Sequence, residues 1–422
     1  MIKGEKIRFD IYNILYSIYK FNRNLNSPEI QNLISKQNKD DIPFLFNVTL
    51  NSMRFNLHSS KIINKYIKKK LKDKEKILLI SAITQIVFLD FKEYAVINCS
   101  VEIAKKLNIY HGFINAILKK ISNDKKKLKK TNIDFKDFPL WFRTKAESLT
   151  KIEKEKFINN FNSEPNLHLV FKNKQKLDEF DEKLIKTSDI SGFLIKKKEV
   201  RKIKSFNDGN WWVQDFSSFF PLYNLQIQGG EKKFLDACAA PGGKSFQVLS
   251  NKQELTINDI SKSRINILRS NLKRLNFNAN ILNEDFTKFQ ENKKYDYIII
   301  DAPCSAIGTI RKNPEIFFKS KGPNFNELNV LQENMLKKAS KILNLNGFII
   351  YMVCSFIKSE TEEQINNFLN TQSDFEIHNF SLFSKNIEYS KLVKNKFMFT
   401  IPETLQKRNI DGYFAAYLKK IK

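Results

Sequence analysis

Two cysteines and an aspartate stand where covalent chemistry could be done. Cys304 follows Asp301-Ala302-Pro303, and Cys354 follows an apolar run that ends at Val353. Each lies just beyond a stretch that reads as a strand, Tyr295 to Ile300 and Gly347 to Val353. The first of these is almost wholly apolar, the pattern of a strand buried on both faces. Strands in a sheet lie ~4.8 Å apart, so neighbouring strand ends open onto one cleft. If these two strands pair, Asp301, Cys304 and Cys354 converge. A lone cysteine is ordinarily a small buried apolar side chain. Two at neighbouring strand ends, one of them after Asp-Ala-Pro, point instead to thiol chemistry.

That chemistry suits methylation of cytosine at carbon 5. The carbon is a poor nucleophile until a thiolate adds at carbon 6 and turns the ring into an enamine. A carboxyl at residue 301 can supply an acid at ring N3 if burial keeps it protonated. If ionised, it accepts a hydrogen bond from the exocyclic amine instead. The carbon 5 proton must then leave and the thiol be eliminated, a step in which a second cysteine can assist. A free thiol titrates near ~8.5, so the nucleophile needs an electropositive setting, for which Lys244 or nearby backbone NH groups are candidates. A base inside a stem would have to be flipped out or already unpaired.

A methyl donor needs its own site. Cys238-Ala239-Ala240-Pro241-Gly242-Gly243-Lys244 lies between a strand at Phe234 to Ala237 and a helix from Ser245. Ligands of open α/β sheets bind at such a loop, where glycines let backbone NH groups approach closely. The P-loop glycine that should precede Gly243 by five residues is Cys238, and G-x-G-x-x-G is absent, so ATP and NAD are disfavoured. Asp259 closes the next strand roughly 20 residues on, where an acid can bind ribose hydroxyls. Asp285 follows the third strand, within reach of an adenine amino group. With Asp301, this set fits a nucleoside that carries no pyrophosphate, and S-adenosylmethionine is the expected cofactor.

The elements that would position these groups change character along the chain. Residues 1–130 read as all-α, with Ile7, Ile11, Ile14, Leu15 and Ile18, then Ile77, Leu78, Ile80 and Ile83, at helical spacing. A charge run, residues 123–130, marks a boundary. Residues 131–205 read as a small α/β module, with a helix at Leu149 to Phe161 and strands at Leu167 to Phe171 and Gly192 to Ile195. From 206 to 422, strands alternate with helices, which predicts a Rossmann-like, mostly parallel sheet. Its strands are expected at Phe234 to Ala237, Leu255 to Ile257, Ala279 to Leu282, Tyr295 to Ile300, Gly347 to Val353 and Tyr413 to Leu418. Its helices are expected at Ser261 to Leu275 and Val330 to Leu343.

Composition bounds the partners. The chain has 422 residues, 28% of them charged, and a net charge of +27. Cationic surface binds phosphate backbones by counterion release, so RNA is an expected partner. The abundance of Lys, Asn, Ile and Phe also fits an AT-rich genome and accounts for part of the excess. No apolar run reaches the ~18 residues of a spanning helix, and Met1 to Glu5 lack the apolar core of a secretory leader. A cytoplasmic location and no membrane partner are expected. Four cysteines and four histidines without a CxxC pair argue against a disulfide framework or a metal site. A monomer is expected.

Taken together, these motifs resemble the Nol1/Nop2/Sun family of RNA 5-methylcytosine methyltransferases. The resemblance runs from Val213-Gln214-Asp215 through the loop at Asp236 to Lys244, Asp301 to Ser305 and Cys354-Ser355 to Asp411-Gly412-Tyr413-Phe414. It implies that Cys354 is the nucleophile, that Cys304 assists release, and that the loop from Cys238 to Lys244 with Asp259, Asp285 and Asp301 holds the cofactor. The N-terminal part resembles the NusB-like RNA-binding fold, with Ile114 to Lys119 as its closing signature. That fusion, Ala306, and residues 310–315 are similar to the bacterial Sun/Fmu type, which implies 16S ribosomal RNA as the substrate. The sequence departs from the family pattern at Val353, where threonine is usual, at Glu360-Thr361-Glu362, and at Leu169 to Lys172.

Two other classes compete. A non-catalytic RNA-binding or assembly factor would use the helical domain alone, and a transfer RNA could replace ribosomal RNA as substrate. A DNA cytosine methyltransferase would make Cys304, after its proline, the nucleophile. The Cys354 motif and the helical domain argue against that last reading.

Overall fold

The computed structural model describes residues 3–196, 198–225, 230–290, 293–380 and 387–422, so Met1 and Ile2 of the stretch Met1 to Glu5 lie outside the described residues. The described chain divides into two compact units. One comprises Met1–Glu147 with Ile310–Pro323, the other Ser148–Thr309 with Asn324–Lys422. Among the described residues, no helix is long and apolar enough to cross a membrane.

The first unit is helical, as the periodicity predicts. Ile7, Ile11, Ile14, Leu15 and Ile18 are buried along one face of the helix Lys3–Phe21. They join Leu45 and Val48 from Ile42–Arg54 and Ile77, Ile80 and Ile83 from Asp73–Ile83 in one core. Pro28 opens the helix Pro28–Ser35, where its missing NH costs nothing.

This core is completed from far along the chain. Phe318 is buried in it. The ring of Phe317 packs edge-on against Phe138 and Phe142, with centroids 5.3 and 5.0 Å away. Asn56 Nδ2 donates to the carbonyl of Phe317 at 3.1 Å, Arg54 to that of Arg311 at 3.1 Å, and the NH of Ser320 to that of Tyr19 at 3.1 Å. The aromatic contacts explain why residues 131–147 group with the helices, past the expected boundary at 130. Residues 310–323 belong to the helical unit although they lie inside the strand-rich stretch in sequence.

Among the described residues the second unit holds fifteen strands: β1 His168–Phe171, β2 Leu184–Ser188, β3 Ser191–Leu194, β4 Trp211–Val213, β5 Lys233–Asp236, β6 Glu254–Asn258, β7 Asn280–Leu282, β8 Tyr295–Asp301, β9 Leu343–Val353, β10 Phe375–His378, β11 Val393–Lys394, β12 Phe397–Thr400, β13 Glu403–Leu405, β14 Arg408–Ile410 and β15 Tyr413–Lys420. A small antiparallel sheet runs β2-β3-β1-β4, and β13 pairs with β14. The large sheet runs β11-β12-β15-β9-β8-β5-β6-β7, with β10 also on β15. Pairs from β7 to β9 are parallel, and β15 turns the far side antiparallel.

Every strand expected beyond residue 205 is present, displaced by a few residues at most. The helix expected at Leu149 to Phe161 spans Lys151–Asn160, with Thr150 and Glu153 capping each other's NH groups. The structure adds β4, the helix Phe216–Asn224 and the short strands β10 to β12. Phe216–Asn224 carries Pro221 within it, which breaks the helical pattern in sequence. The expected module 131–205 is not a separate body: Val170, Phe193 and Trp212 share one buried cluster with Phe234, Ile257 and Ile350 of the large sheet.

Replacing Phe317 tests the shared core of the helical unit. Phe317→Ala is expected to cost about 3–4 kcal/mol in denaturant unfolding of that unit, the usual penalty for emptying a packed aromatic site.

Candidate active site

The site begins with strand register. In the parallel pair β8–β9, Ile299 faces Ile350 and Asp301 faces Met352, and the NH of Ala302 still donates to Met352 O at 2.9 Å. Both strands then break into turns at the same edge. Cys304 and Cys354 are carried there half-buried, with their sulfurs 3.3 Å apart in hydrogen-bond contact. The bond to Cys354 together with burial pushes the Cys304 thiol well above its ordinary range. Cys304 is therefore held as a thiol beside Cys354.

Asp301 sits at the start of the same turn. Lys244 Nζ donates to its Oδ2 at 2.7 Å and to Ser218 Oγ at 2.9 Å. Tyr413 OH donates to Oδ1 at 3.0 Å. Burial, then the charge of Asp301, raises the Tyr413 phenol, which keeps it a donor. With both oxygens accepting, one of them from an ammonium, Asp301 is placed as an acceptor. Of the two roles open in the sequence, this arrangement favours the acceptor over the acid. Lys244 is spent on this pair.

Two glycines hold the turns together. The NH of Gly308 donates to Cys354 O at 3.0 Å, and the NH of Gly412 to Gly308 O at 2.9 Å. A Cβ on Gly308 would lie 1.9 Å from Gly412 O, so the backbones meet only because both residues lack side chains. Gly412 brings with it the Asp411 motif. Ser217 Oγ donates to Asp411 O at 2.8 Å and the NH of Asp411 to Asp215 at 3.3 Å, which joins the Val213-Gln214-Asp215 and Asp411 to Phe414 stretches.

On the other side lies the glycine loop. Gly242 has φ +115, and a Cβ there would strike Phe246 and Leu268. Asp259 is buried at the end of β6, and its oxygens accept from the NH groups of Ala240 at 3.1 Å and Ser261 at 2.9 Å. Arg264 lies 3.6 Å from that carboxylate. Asp236 accepts from Ser245 Oγ at 2.7 Å, and burial lifts it to about 7. Asp285 accepts from Thr287 Oγ1 at 2.7 Å and its NH at 3.0 Å, bonds that hold it below the usual carboxylate range.

A cavity of ≈ 290 Å³ connects the two sides. Its walls include Cys238, Asp259, Asp285, Asp301, Cys304 and Cys354. Six of the residues expected at the cofactor, Ala239, Ala240, Pro241, Gly242, Gly243 and Lys244, are not in this lining. Burial pushes the Cys238 thiol upward, so it presents a neutral surface there.

One buried acid was not foreseen as part of the site. Glu360 accepts from the Ser305 NH at 2.7 Å, Ser305 Oγ at 2.6 Å and Ser355 Oγ at 2.6 Å, and Gln332 Nε2 is 3.4 Å away. In sequence it stood only within Glu360-Thr361-Glu362, the triplet whose departure from the family pattern is Thr361. Ser218 and Gln332 carried no signal in the sequence, and Tyr413 only its place within the Asp411 to Phe414 stretch.

A family model described as 16S rRNA methyltransferase RsmB/F matches residues 222–419, and one described as the NusB family matches residues 6–123. The chain is 29% identical over 370 residues to ribosomal RNA small subunit methyltransferase B of Photorhabdus laumondii, across 82% of this chain and 85% of that one. It is 28% identical over 345 residues to the protein of the same name from Klebsiella pneumoniae, across 75% and 79%. Two solved structures share the fold. The crystal structure of PH0851 has a TM-score of 0.71 at 20% identity and spans 100% of this chain and 99% of its own. That of NSun6 from Pyrococcus horikoshii with SFG has a TM-score of 0.57 at 18% identity, across 68% and 99%.

The glycine contact can be tested directly. Gly308→Ala must push the Cys304 turn off the Gly412 carbonyl and is expected to lower stability by about 2–3 kcal/mol, measured by denaturant titration.

Proposed function

We propose, from the premise that the chain belongs to the RsmB/F methyltransferase family and carries an N-terminal NusB-family domain, that it methylates carbon 5 of a cytosine in 16S ribosomal RNA. The observation that carries this reading is the pair of sulfurs 3.3 Å apart, both opening on the cavity walled by Asp259, Asp285 and Asp301. A factor that only bound RNA would have no use for it.

The residues present fit S-adenosylmethionine. Asp259 and Asp285 offer carboxylates for ribose and adenine donors, and the cavity lies just beyond the strand ends, where α/β sheets bind nucleosides. When bound, the cofactor supplies the methyl group that carbon 5 receives. The protein's own part begins with the Cys354 thiolate, whose lone pair forms a bond to carbon 6 while the ring electrons move toward carbon 5. Asp301, pinned by Lys244 and Tyr413, accepts from the exocyclic amine and fixes the base. After methylation, solvent water takes the carbon 5 proton, the freed electron pair restores the carbon 5–carbon 6 double bond, and the Cys354–carbon 6 bond breaks with its pair returning to sulfur. Cys304, kept as a thiol, stands close enough to protonate the departing Cys354 sulfur.

Methyl transfer from tritiated S-adenosylmethionine to unmodified small-subunit RNA tests the activity; RNA binding without transfer would sink it. Cys354→Ala is expected to lower turnover about a thousandfold or more and to form no covalent complex. Cys304→Ala is expected to accumulate covalent RNA on denaturing gels, and the reverse pattern would exchange the two roles. Lys244→Met is expected to cut the maximal rate about a hundredfold while cofactor affinity, read by calorimetry, changes little. Equal loss of both would place Lys244 at the cofactor.

A further inference from the structure

We propose that Glu360 is a positioning residue for the sulfur pair: its carboxylate ties the turn bearing Cys304 to the turn bearing Cys354 and so governs how one thiol serves the other during release. This deepens the covalent reading above and rests on it.

The connectivity makes the case. Ser305 follows Cys304 and gives Glu360 both its NH, 2.7 Å from Oε1, and its hydroxyl, 2.6 Å from Oε2. Ser355 follows Cys354 and gives its hydroxyl, 2.6 Å from the same Oε2. The two hydroxyls are 3.2 Å apart. Gln332 reaches Oε1 at 3.4 Å while it donates to Pro303 O at 2.9 Å, which adds the residue before Cys304 to the cluster. Glu360 is fixed in turn, since Tyr351 OH donates to its carbonyl at 2.9 Å and Ser355 Oγ accepts the NH of Ile357 at 3.2 Å. One side chain therefore clamps both cysteine turns from beneath.

Its chemistry is unusual for a clamp. Glu360 is fully buried, yet the groups that meet its carboxylate among the described residues are neutral donors. A buried charge without a cation is costly, and a serine or glutamine could knit two turns more cheaply. The charge that remains bears on Cys304. It adds to the bond from Cys354 and to burial in holding that thiol protonated. Glu360 thus acts on Cys304 twice, through its place and through its field, without touching the substrate.

The test uses the full chain with Glu360→Gln, which keeps an acceptor for the Ser305 NH and removes the charge. Two readouts are compared. The first is the decay of the denaturation-resistant complex with unmodified RNA against single-turnover methyl transfer. The second is the pH profile of Cys304 alkylation by iodoacetamide, followed on its peptide by mass spectrometry. Release is expected to slow about tenfold while methyl transfer changes less than about threefold, and the alkylation midpoint is expected to fall. Equal loss in both steps, or an unmoved midpoint, overturns the proposal. If the unsubstituted chain forms no covalent complex with 5-fluorocytosine RNA, the covalent reading fails, and the alkylation profile still judges Glu360. Ser355→Ala removes a single donor and carries the same readouts, with smaller shifts, should Glu360→Gln fail to fold.

Discussion

Parallel pairing of β8 with β9 sets the distance on which the proposed chemistry depends. The strands are apolar on both faces, with Ile298 to Ile300 beside Ile349 to Tyr351, all fully buried. A slip of one residue would turn each side chain to the opposite face and send Asp301 out of line with Met352. Cys304 lies three residues past the end of β8 and Cys354 one past the end of β9, so register converts directly into sulfur separation.

Around that register the site is held by buried polar groups that are nearly all paired. Asp259 locks the glycine loop, Glu360 locks the cysteine turns, and Asp301 locks Lys244 and Tyr413. Asp259 and Glu360, both buried, would be liabilities if left unpaired in the interior. Paired, they fix backbones that carry no regular structure of their own. The sulfurs of Cys304 and Cys354 can stay partly open to the cavity because their neighbours, Ser305 and Ser355, are the anchored residues. Gly308 and Gly412 serve the same end by letting two backbones touch.

The alternation of strands and helices beyond residue 205 was legible because buried strands and amphipathic helices leave different periodicities. The convergence of Asp301, Cys304 and Cys354 followed from placing each at a strand end. The transfer of residues 310–323 to the helical unit was not legible. Phe317 and Phe318 look the same whichever core they fill, and contact with Phe138 across that sequence distance leaves no local pattern. The role of Lys244 was also hidden. Its place in a glycine loop suggested the ligand, whereas its length lets it reach across to Asp301. Glu360 was missed because an acid after a strand usually reads as surface, and only the fold reveals donors from two separate turns.

The claim that bears most weight is that residue 354 bonds to the base. Tandem mass spectrometry of peptides from the complex trapped on 5-fluorocytosine RNA tests it most directly. The account predicts a nucleotide mass on the peptide containing Cys354, with Cys304 unmodified. A nucleotide on Cys304, or on neither cysteine, would contradict it.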